Sequence, residues 1–125
     1  MRWDEWRFSA KRAWQDSFVK WMTVCTVLFH VAMSAFALHA LLPQGARARI
    51  LTVHYTIYLG IDDVRPWQWI LLLPAILLLI LFVNGVVACG LFRQDKLAAK
   101  TLVAFSVLLT LVWGVNLFFL VSVNL

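Results

Sequence analysis

The stretch from Trp67 to Phe92 constrains this chain most, because it holds 26 residues without one charged side chain. A helix needs about 20 consecutive apolar residues to cross the hydrocarbon core of a bilayer. A soluble domain made from 125 residues has no interior in which to hide such a run. We therefore expect this stretch to span a membrane as a helix, with its backbone hydrogen bonds satisfied internally.

Two further uncharged runs accompany it, and together they predict an all-α membrane protein in one domain. The chain is 63% hydrophobic and 14% charged, whereas soluble domains are about 45–50% apolar and about 25% charged. The predicted segments are an in-plane amphipathic helix (1–20), transmembrane helix 1 (21–42), an extracytoplasmic strand and loop (43–66), transmembrane helix 2 (67–92), a cytoplasmic turn (93–100) and transmembrane helix 3 (101–125).

The basic residues predict the topology. Residues 1–20 carry five Lys or Arg and residues 93–100 carry three, whereas residues 43–66 carry three and the C-terminal end carries none. By the positive-inside rule, the N-terminus and the 93–100 turn lie in the cytoplasm, and the C-terminus lies outside. Because these cations are scattered over short segments, the net charge of +5 does not indicate nucleic-acid binding. We expect a multi-pass protein of the bacterial inner membrane.

The N-terminal segment has an aromatic face and a charged face. The aromatic face recurs at helical spacing, and its residues are Trp3, Trp6, Ala10, Trp14, Phe18 and Trp21. Such a helix is typical of the headgroup plane of a membrane, with its rings turned toward the acyl chains. The alternative is that the tryptophans pack against a neighbouring protein. A signal peptide is less well supported, because a charged leader of 20 residues is long for one.

Transmembrane helix 1 is the least apolar of the three, and we expect it to face protein, because small and polar residues favour close helix contact in lipid. Pro43 to Gly45 are predicted to end it. Cys25 and Cys89 both fall inside spans, so we expect buried thiols and no disulfide.

The connection from 43 to 66 contains a strand pattern from Ile50 to Leu59, in which residue types alternate with a period of two. The sequence offers no second strand of similar strength. Either Arg47 to Ile50 folds back as a short hairpin, or the strand pairs with another chain. Asp62 or Asp63 is expected to cap the helix that follows Pro66.

Polar residues inside the spans form the first candidate site. The helical rise places His30, Asn84 and Thr110 at a common depth, where they are expected to clamp the helices together. Proton or ion movement is the alternative role for such residues. His30 or His39 is also a candidate ligand for haem or chlorophyll, because the stretch from Ala35 to His39 has the Ala-x-x-x-His spacing of light-harvesting polypeptides. A two-histidine haem site would need another chain.

The second candidate site lies in the outer connection, where His54, Asp62, Asp63 and Arg65 are clustered. A salt-bridged cap on transmembrane helix 2 is the expected role, and a ligand, ion or peptide site is the alternative. The sequence contains no metal-spaced Cys/His set, nucleophile elbow or phosphate-binding glycine loop. We therefore expect no enzymatic activity, no metal and no bound cofactor beyond the haem or chlorophyll alternative.

From about Ile50 to the C-terminus the sequence resembles a group of small bacterial membrane proteins with a His-Tyr-Asn-Ile-Tyr-Phe-Gly-Ile/Val-Asp motif, which have no assigned activity. The residues that match this motif are His54, Tyr55, Ile57, Tyr58, Gly60, Ile61 and Asp62. More distantly the segment resembles the membrane immunity proteins of the sporulation-delaying toxin system, whose motif His54, Tyr55, Gly60 and Asp63 follow in order. In both cases the Asn of the motif is replaced by Thr56.

These observations favour an accessory or interaction subunit of a larger membrane complex. The expected partners are the lipid bilayer and other membrane protein subunits, with strand pairing through Ile50 to Leu59. The alternatives are a polypeptide that binds a pigment or haem and a toxin-immunity or sensor protein.

Overall fold

The structure is a computed structural model that describes residues 3–56 and 60–124, with side chains for all of them except 53–56 and 60–62. The described residues form these elements: α1 (Trp3–Gln15), α2 (Ser17–Ala48), β1 (Ile50–Thr56), β2 (Gly60–Pro66), α3 (Trp69–Leu91) and α4 (Lys96–Asn124). Of these, α2, α3 and α4 are long and apolar enough to cross a membrane. The predicted fold class is confirmed: a multi-pass helical membrane protein with a shorter helix before the first span and a small strand region after it.

Two aspartates fix where the helices begin. The carboxylate of Asp16 accepts hydrogen bonds from the backbone N–H groups of Phe18 and Val19, so α1 ends and α2 begins at this residue, before the predicted start at 21. Asp95 accepts from the N–H of Ala98 in the same way, so α4 begins five residues before the predicted start at 101. The turn between α3 and α4 is therefore shorter than the predicted segment 93–100.

The prediction that Pro43 to Gly45 end the first span is wrong, because α2 continues to Ala48. A proline removes one backbone hydrogen bond, and the packing around Gly45 holds the helix together beyond it. A Cβ added to Gly45 would lie 2.7 Å from Cβ of Trp67, so only glycine allows this contact. The helix ends at Arg49, which has a φ of 62° and donates its N–H to the Gly45 carbonyl.

Neither of the two expected partners of the outer strand, Arg47 to Ile50 or another chain, is the one observed, because β1 pairs with β2 in an antiparallel two-stranded sheet. The register joins Ile50 to Pro66 and Thr56 to Gly60, with an irregularity where His54 lies opposite Asp63. Because β2 contains two aspartates, a glycine and a proline, its intrinsic strand propensity is low. A strand at this position is therefore not predicted from the sequence. Leu59, the predicted end of the strand, lies outside the described residues.

The predicted cap on transmembrane helix 2 is wrong for the same reason, since Asp62 and Asp63 belong to β2. Instead, Gln68 occupies the N-cap position of α3 and makes no side-chain capping bond.

The three long helices pack around two apolar clusters separated by a polar middle. One cluster joins α1, α2, α3 and α4 at the end of the bundle where α1 lies, and its core residues are Ala13, Val19, Ala88, Phe92, Ala99 and Val103. The other lies under the hairpin, and its core residues are Ala37, Leu41, Leu51, Ile70, Leu117 and Val121. We call these two ends the α1 end and the hairpin end.

Candidate functional site

The middle of the bundle is lined by buried polar side chains from two helices. On α2 they are Thr26, His30 and Ser34, which recur every four residues on one face, and on α4 they are Ser106 and Thr110. Gly114 continues the face of α4, and a Cβ there would lie 2.9 Å from the ring of Phe29. The polar face of α4 therefore packs closely against α2, as small residues allow in lipid.

Asn84 contacts this face at Ser106, one helical turn before Thr110, with which it was predicted to form a layer. Its side-chain amide donates a hydrogen bond to Ser106 Oγ at 3.2 Å, and Ser106 Oγ in turn donates to the carbonyl of Leu102. The hydroxyl of Thr110 donates to the carbonyl of Ser106 on its own helix. The structure thus joins Asn84 to Ser106, and it places the buried His30 and Thr110 on the faces of α2 and α4 that meet.

Three buried polar atoms in this region have no hydrogen-bond partner among the described residues. They are His30 Nδ1, Ser34 Oγ and Trp113 Nε1. Because Gly114 lies beside Phe29 and Met33, Trp113 lies at nearly the same level as His30 and Ser34. Leaving a buried polar group unpaired costs about 1–3 kcal/mol, so this layer lowers the stability of the helix bundle.

A macrocyclic cofactor does not fit beside His30. The side chain is only 3% exposed, so a haem or chlorophyll reaches it only if the helices separate. A cleft near this level, lined by Thr23, Thr26, Gly85 and Ser106 among others, has a volume of about 30 Å³. That volume admits only water-sized molecules, since one ordered water needs about 10–15 Å³ of such space.

His39 lies on the opposite face of α2 and is exposed. Nine residues separate it from His30, so the two imidazoles project about 180° apart around the helix. The small residues Ala32 and Ala35 are exposed on the same side, and so is Cys25, whose predicted burial is wrong. We call these four residues, Cys25, Ala32, Ala35 and His39, the outer face of α2.

At the hairpin end, the described part of the predicted motif forms an exposed ion pair. Arg65 Nε lies 2.9 Å and 3.0 Å from the two carboxylate oxygens of Asp63, and its guanidinium lies 5.3 Å from the centre of the Trp69 ring. The side chains of His54, Tyr55 and Asp62 are not among those described, and Gly60 is placed by its backbone alone as the first residue of β2. Tyr58 lies outside the described residues, so the role of the motif stays a prediction.

The side chain of Asn124 pairs with backbone groups of β1 in the hairpin. Its side-chain amide accepts a hydrogen bond from the N–H of Thr52 and donates one to the carbonyl of Thr52, at 2.9 Å and 2.8 Å. This geometry imitates the pair of bonds that a neighbouring strand supplies. The end of α4 thus fixes β1 on top of the bundle.

At the α1 end, Ser9 fastens α1 to the end of α3. Its side chain is fully buried, its hydroxyl lies 2.7 Å from the carbonyl of Cys89 and 3.1 Å from that of Gly90, and it accepts from the N–H of Arg93. Trp6 reaches further along α3, where its indole N–H donates to the carbonyl of Val86. The bonds of Ser9 satisfy backbone groups at the end of α3, which otherwise lack partners.

A second tie joins the start of α2 to α4. Lys100 Nζ lies 2.9 Å from Asp16 Oδ2. This hydrogen bond lowers the pKa of Asp16, and the backbone N–H groups of Phe18 and Val19 act in the same direction. Both partners keep some exposure, so the pair serves mainly to position the two helices.

Sequence reasoning missed Ser9, the Asp16–Lys100 pair and Asn124. The available signal for Ser9 was its i, i+4 spacing to Ala13, since together they form a small face beside the aromatic one. Asp16 carried a capping signal, because it precedes a long apolar helix. Nothing in the sequence pairs Asn124 with Thr52, which lies 72 residues away.

No group of three or more His, Cys, Asp or Glu side chains that could hold a metal ion occurs within 3–56 and 60–124. Comparison with family models, with curated proteins and with solved structures gives no match to this chain.

Proposed function

We propose that this protein is a non-enzymatic accessory subunit of a larger complex in the bacterial inner membrane, and that it binds its partner through the outer face of α2. The observation that carries the proposal is the exposure of His39 within a membrane-spanning helix. Polar side chains in a membrane generally face other protein groups, because hydrocarbon offers an imidazole no hydrogen-bond partner.

The residues around His39 support a helix as the partner. Ala35 precedes it by one turn and Ala32 by two, so a neighbouring backbone can approach this side of α2 closely. Large apolar side chains cover the surfaces that α3 and α4 turn away from the bundle, such as Leu79, Phe82 and Phe119. Those surfaces suit lipid, whereas the small residues within two turns of His39 on the outer face of α2 suit a second protein, with Leu28 exposed on the same side one turn before Ala32.

The proposed orientation rests on charge. In the sequence, eight basic residues fall within segments 1–20 and 93–100, and three fall within segment 43–66. The positive-inside rule then places the α1 end in the cytoplasm and the hairpin outside. Reporter fusions at the two ends test this orientation independently of any partner.

The partner proposal is tested by affinity purification of the tagged full-length chain from its native membranes in a mild detergent. We expect the wild type to retain a stoichiometric membrane protein, and we expect Ala35→Leu and His39→Leu to lose it. Matched controls are Ala75→Leu on the exposed side of α3 and Asn116→Leu on the exposed side of α4. A wild-type chain that elutes as a monomer without a companion contradicts the proposal, as does equal loss in the controls.

A second candidate function is supported by the same exposure. A haem or chlorophyll has access to His39 from the lipid side, and Ala35 leaves space for its ring one turn before the imidazole. An absorption spectrum of protein purified from native membranes tests this function. Visible bands that disappear in His39→Leu support it, and a colourless wild type that binds neither cofactor on addition rejects it.

A further inference from the structure

At the α1 end, two guanidinium groups from different helical segments converge on one exposed aromatic ring. The Cζ atom of Arg12 lies 4.8 Å from the centre of the Phe8 ring, and that of Arg93 lies 5.9 Å from the same centre. Arg12 belongs to α1, whereas Arg93 belongs to the turn between α3 and α4. Phe8 itself is 49% exposed.

Buried contacts fix the position of this pair. Ser9 adjoins Phe8 and accepts a hydrogen bond from the backbone N–H of Arg93 at 3.0 Å, so the two segments are joined beside the ring. Ala13, which follows Arg12, is fully buried in the apolar cluster. The backbones that carry the two arginines are therefore held together before any ligand binds, which lowers the entropic cost of binding.

The two guanidiniums are available to an anion. Neither makes a salt bridge with a carboxylate within the described ranges 3–56 and 60–124. The described α1 end has an excess of positive charge, with seven basic residues (Arg7, Lys11, Arg12, Lys20, Arg93, Lys96 and Lys100) against four acidic ones (Asp4, Glu5, Asp16 and Asp95). Two planar guanidinium forks suit a phosphate group, which accepts two hydrogen bonds from each.

The depth of α1 relative to the membrane indicates whether that phosphate belongs to a lipid or to a free anion. Trp6 bonds to the carbonyl of Val86, which lies about 7 Å inside the end of α3 by the helical rise. Trp3 and Trp14 are exposed on the flank of α1 next to this contact, where they are suited to the acyl region of a bilayer. The arginines therefore lie at the level of lipid headgroups, where phosphodiesters are concentrated.

We propose that Arg12 and Arg93, converging on Phe8, bind the phosphodiester of an anionic phospholipid. The guanidiniums hold the phosphate, and the ring keeps both side chains near the membrane surface through cation–π contact. This site is independent of the outer face of α2, so it stands whether or not a protein partner exists.

The proposal is tested with the full-length protein in a mild detergent by native mass spectrometry, with phosphatidylglycerol as the probe. The variant Arg12→Gln/Arg93→Gln removes both guanidiniums. Its matched control, Arg7→Gln/Lys11→Gln, removes the same charge from two other exposed positions of α1. Phosphatidylcholine tests the need for an anionic headgroup, and inorganic phosphate as a competitor tests the need for a lipid.

We expect the wild type to retain phosphatidylglycerol at least about tenfold more tightly than the Arg12→Gln/Arg93→Gln variant, as the loss of two charged donors implies. The control is expected to stay within about threefold of the wild type, because Arg7 and Lys11 do not converge on the Phe8 ring and act on the lipid only through the screened field. Equal weakening in the variant and its control overturns the proposal, as does wild-type binding of phosphatidylcholine with the same affinity. Displacement of the lipid by millimolar phosphate also overturns it, because the site then recognises a free anion.

Discussion

Ser9 offers a sharp test of how α1 is attached to the bundle. The substitution Ser9→Ala removes the hydroxyl without adding volume, and it leaves the Arg93 N–H and one carbonyl of Cys89 or Gly90 without a partner. An unpaired buried group costs about 1–3 kcal/mol. Because Arg93 is exposed, its N–H can regain a water molecule and adds little, so the cost is that of the one buried carbonyl, in the middle of that range. We therefore expect α1 to be held about 2 kcal/mol less tightly in the variant.

Hydrogen–deuterium exchange of the protein in lipid nanodiscs measures this attachment directly. A loss of about 2 kcal/mol raises the population of detached α1 roughly 30-fold, and the exchange of the α1 amides should increase by that factor. Ser122→Ala is the matched control, because Ser122 is exposed and bonds only to the carbonyl of Phe118 on its own helix. If α1 exchanges at the same rate in Ser9→Ala and in Ser122→Ala, the reasoning about Ser9 is refuted.

Two further predictions concern stability. Gly45→Ala should lower the free energy of unfolding in detergent by about 1–3 kcal/mol, because the new Cβ collides with Trp67. Gly85→Ala, where an added Cβ meets no atom within 4 Å, should be neutral or stabilising, and equal loss in both variants would contradict this account. Because Lys100 lowers the pKa of Asp16, this carboxylate stabilises the fold above the ordinary aspartate pKa, and the contribution is lost as the pH falls through the lowered value. Asp16→Asn should remove that acidic step from a fluorescence-monitored pH titration, and an unchanged titration would count against the Asp16–Lys100 contact.

The three spans could be predicted from the sequence because length and hydropathy are local properties. The exact residues at which the spans begin and end depend on contacts of single side chains, which hydropathy does not report. Asp16 caps α2 through its immediate neighbours, so a capping pattern could have located that boundary. Pro43 misled the prediction, since tertiary packing of Gly45 against Trp67 outweighs one missing hydrogen bond.

The sheet and the polar interior were harder to predict, because both depend on contacts between distant segments. The strand β2 gains its structure by pairing with β1, and its own residues disfavour that conformation. Among the polar residues, depth alone predicted a layer of His30, Asn84 and Thr110. Depth does not resolve one helical turn, and the structure joins Asn84 to Ser106.

The distribution of polar residues on α2 gives the first span two separate roles. Thr26, His30 and Ser34 face the other helices of the same chain, so they account for one part of its polarity. The outer face of α2 accounts for the rest, and it has no counterpart to contact within the described chain. A membrane-spanning helix that carries an exposed histidine opposite its packed polar face is expected to lie between two proteins, which is the basis of the proposed function.

Site-specific photo-crosslinking in native membranes tests that function most directly. A photoreactive residue is placed at position 35 on the outer face of α2, and in a separate sample at position 75 on the exposed side of α3. The account predicts a discrete protein adduct from position 35 and only lipid adducts from position 75. Lipid adducts alone from position 35, or the same protein adduct from both positions, would contradict it.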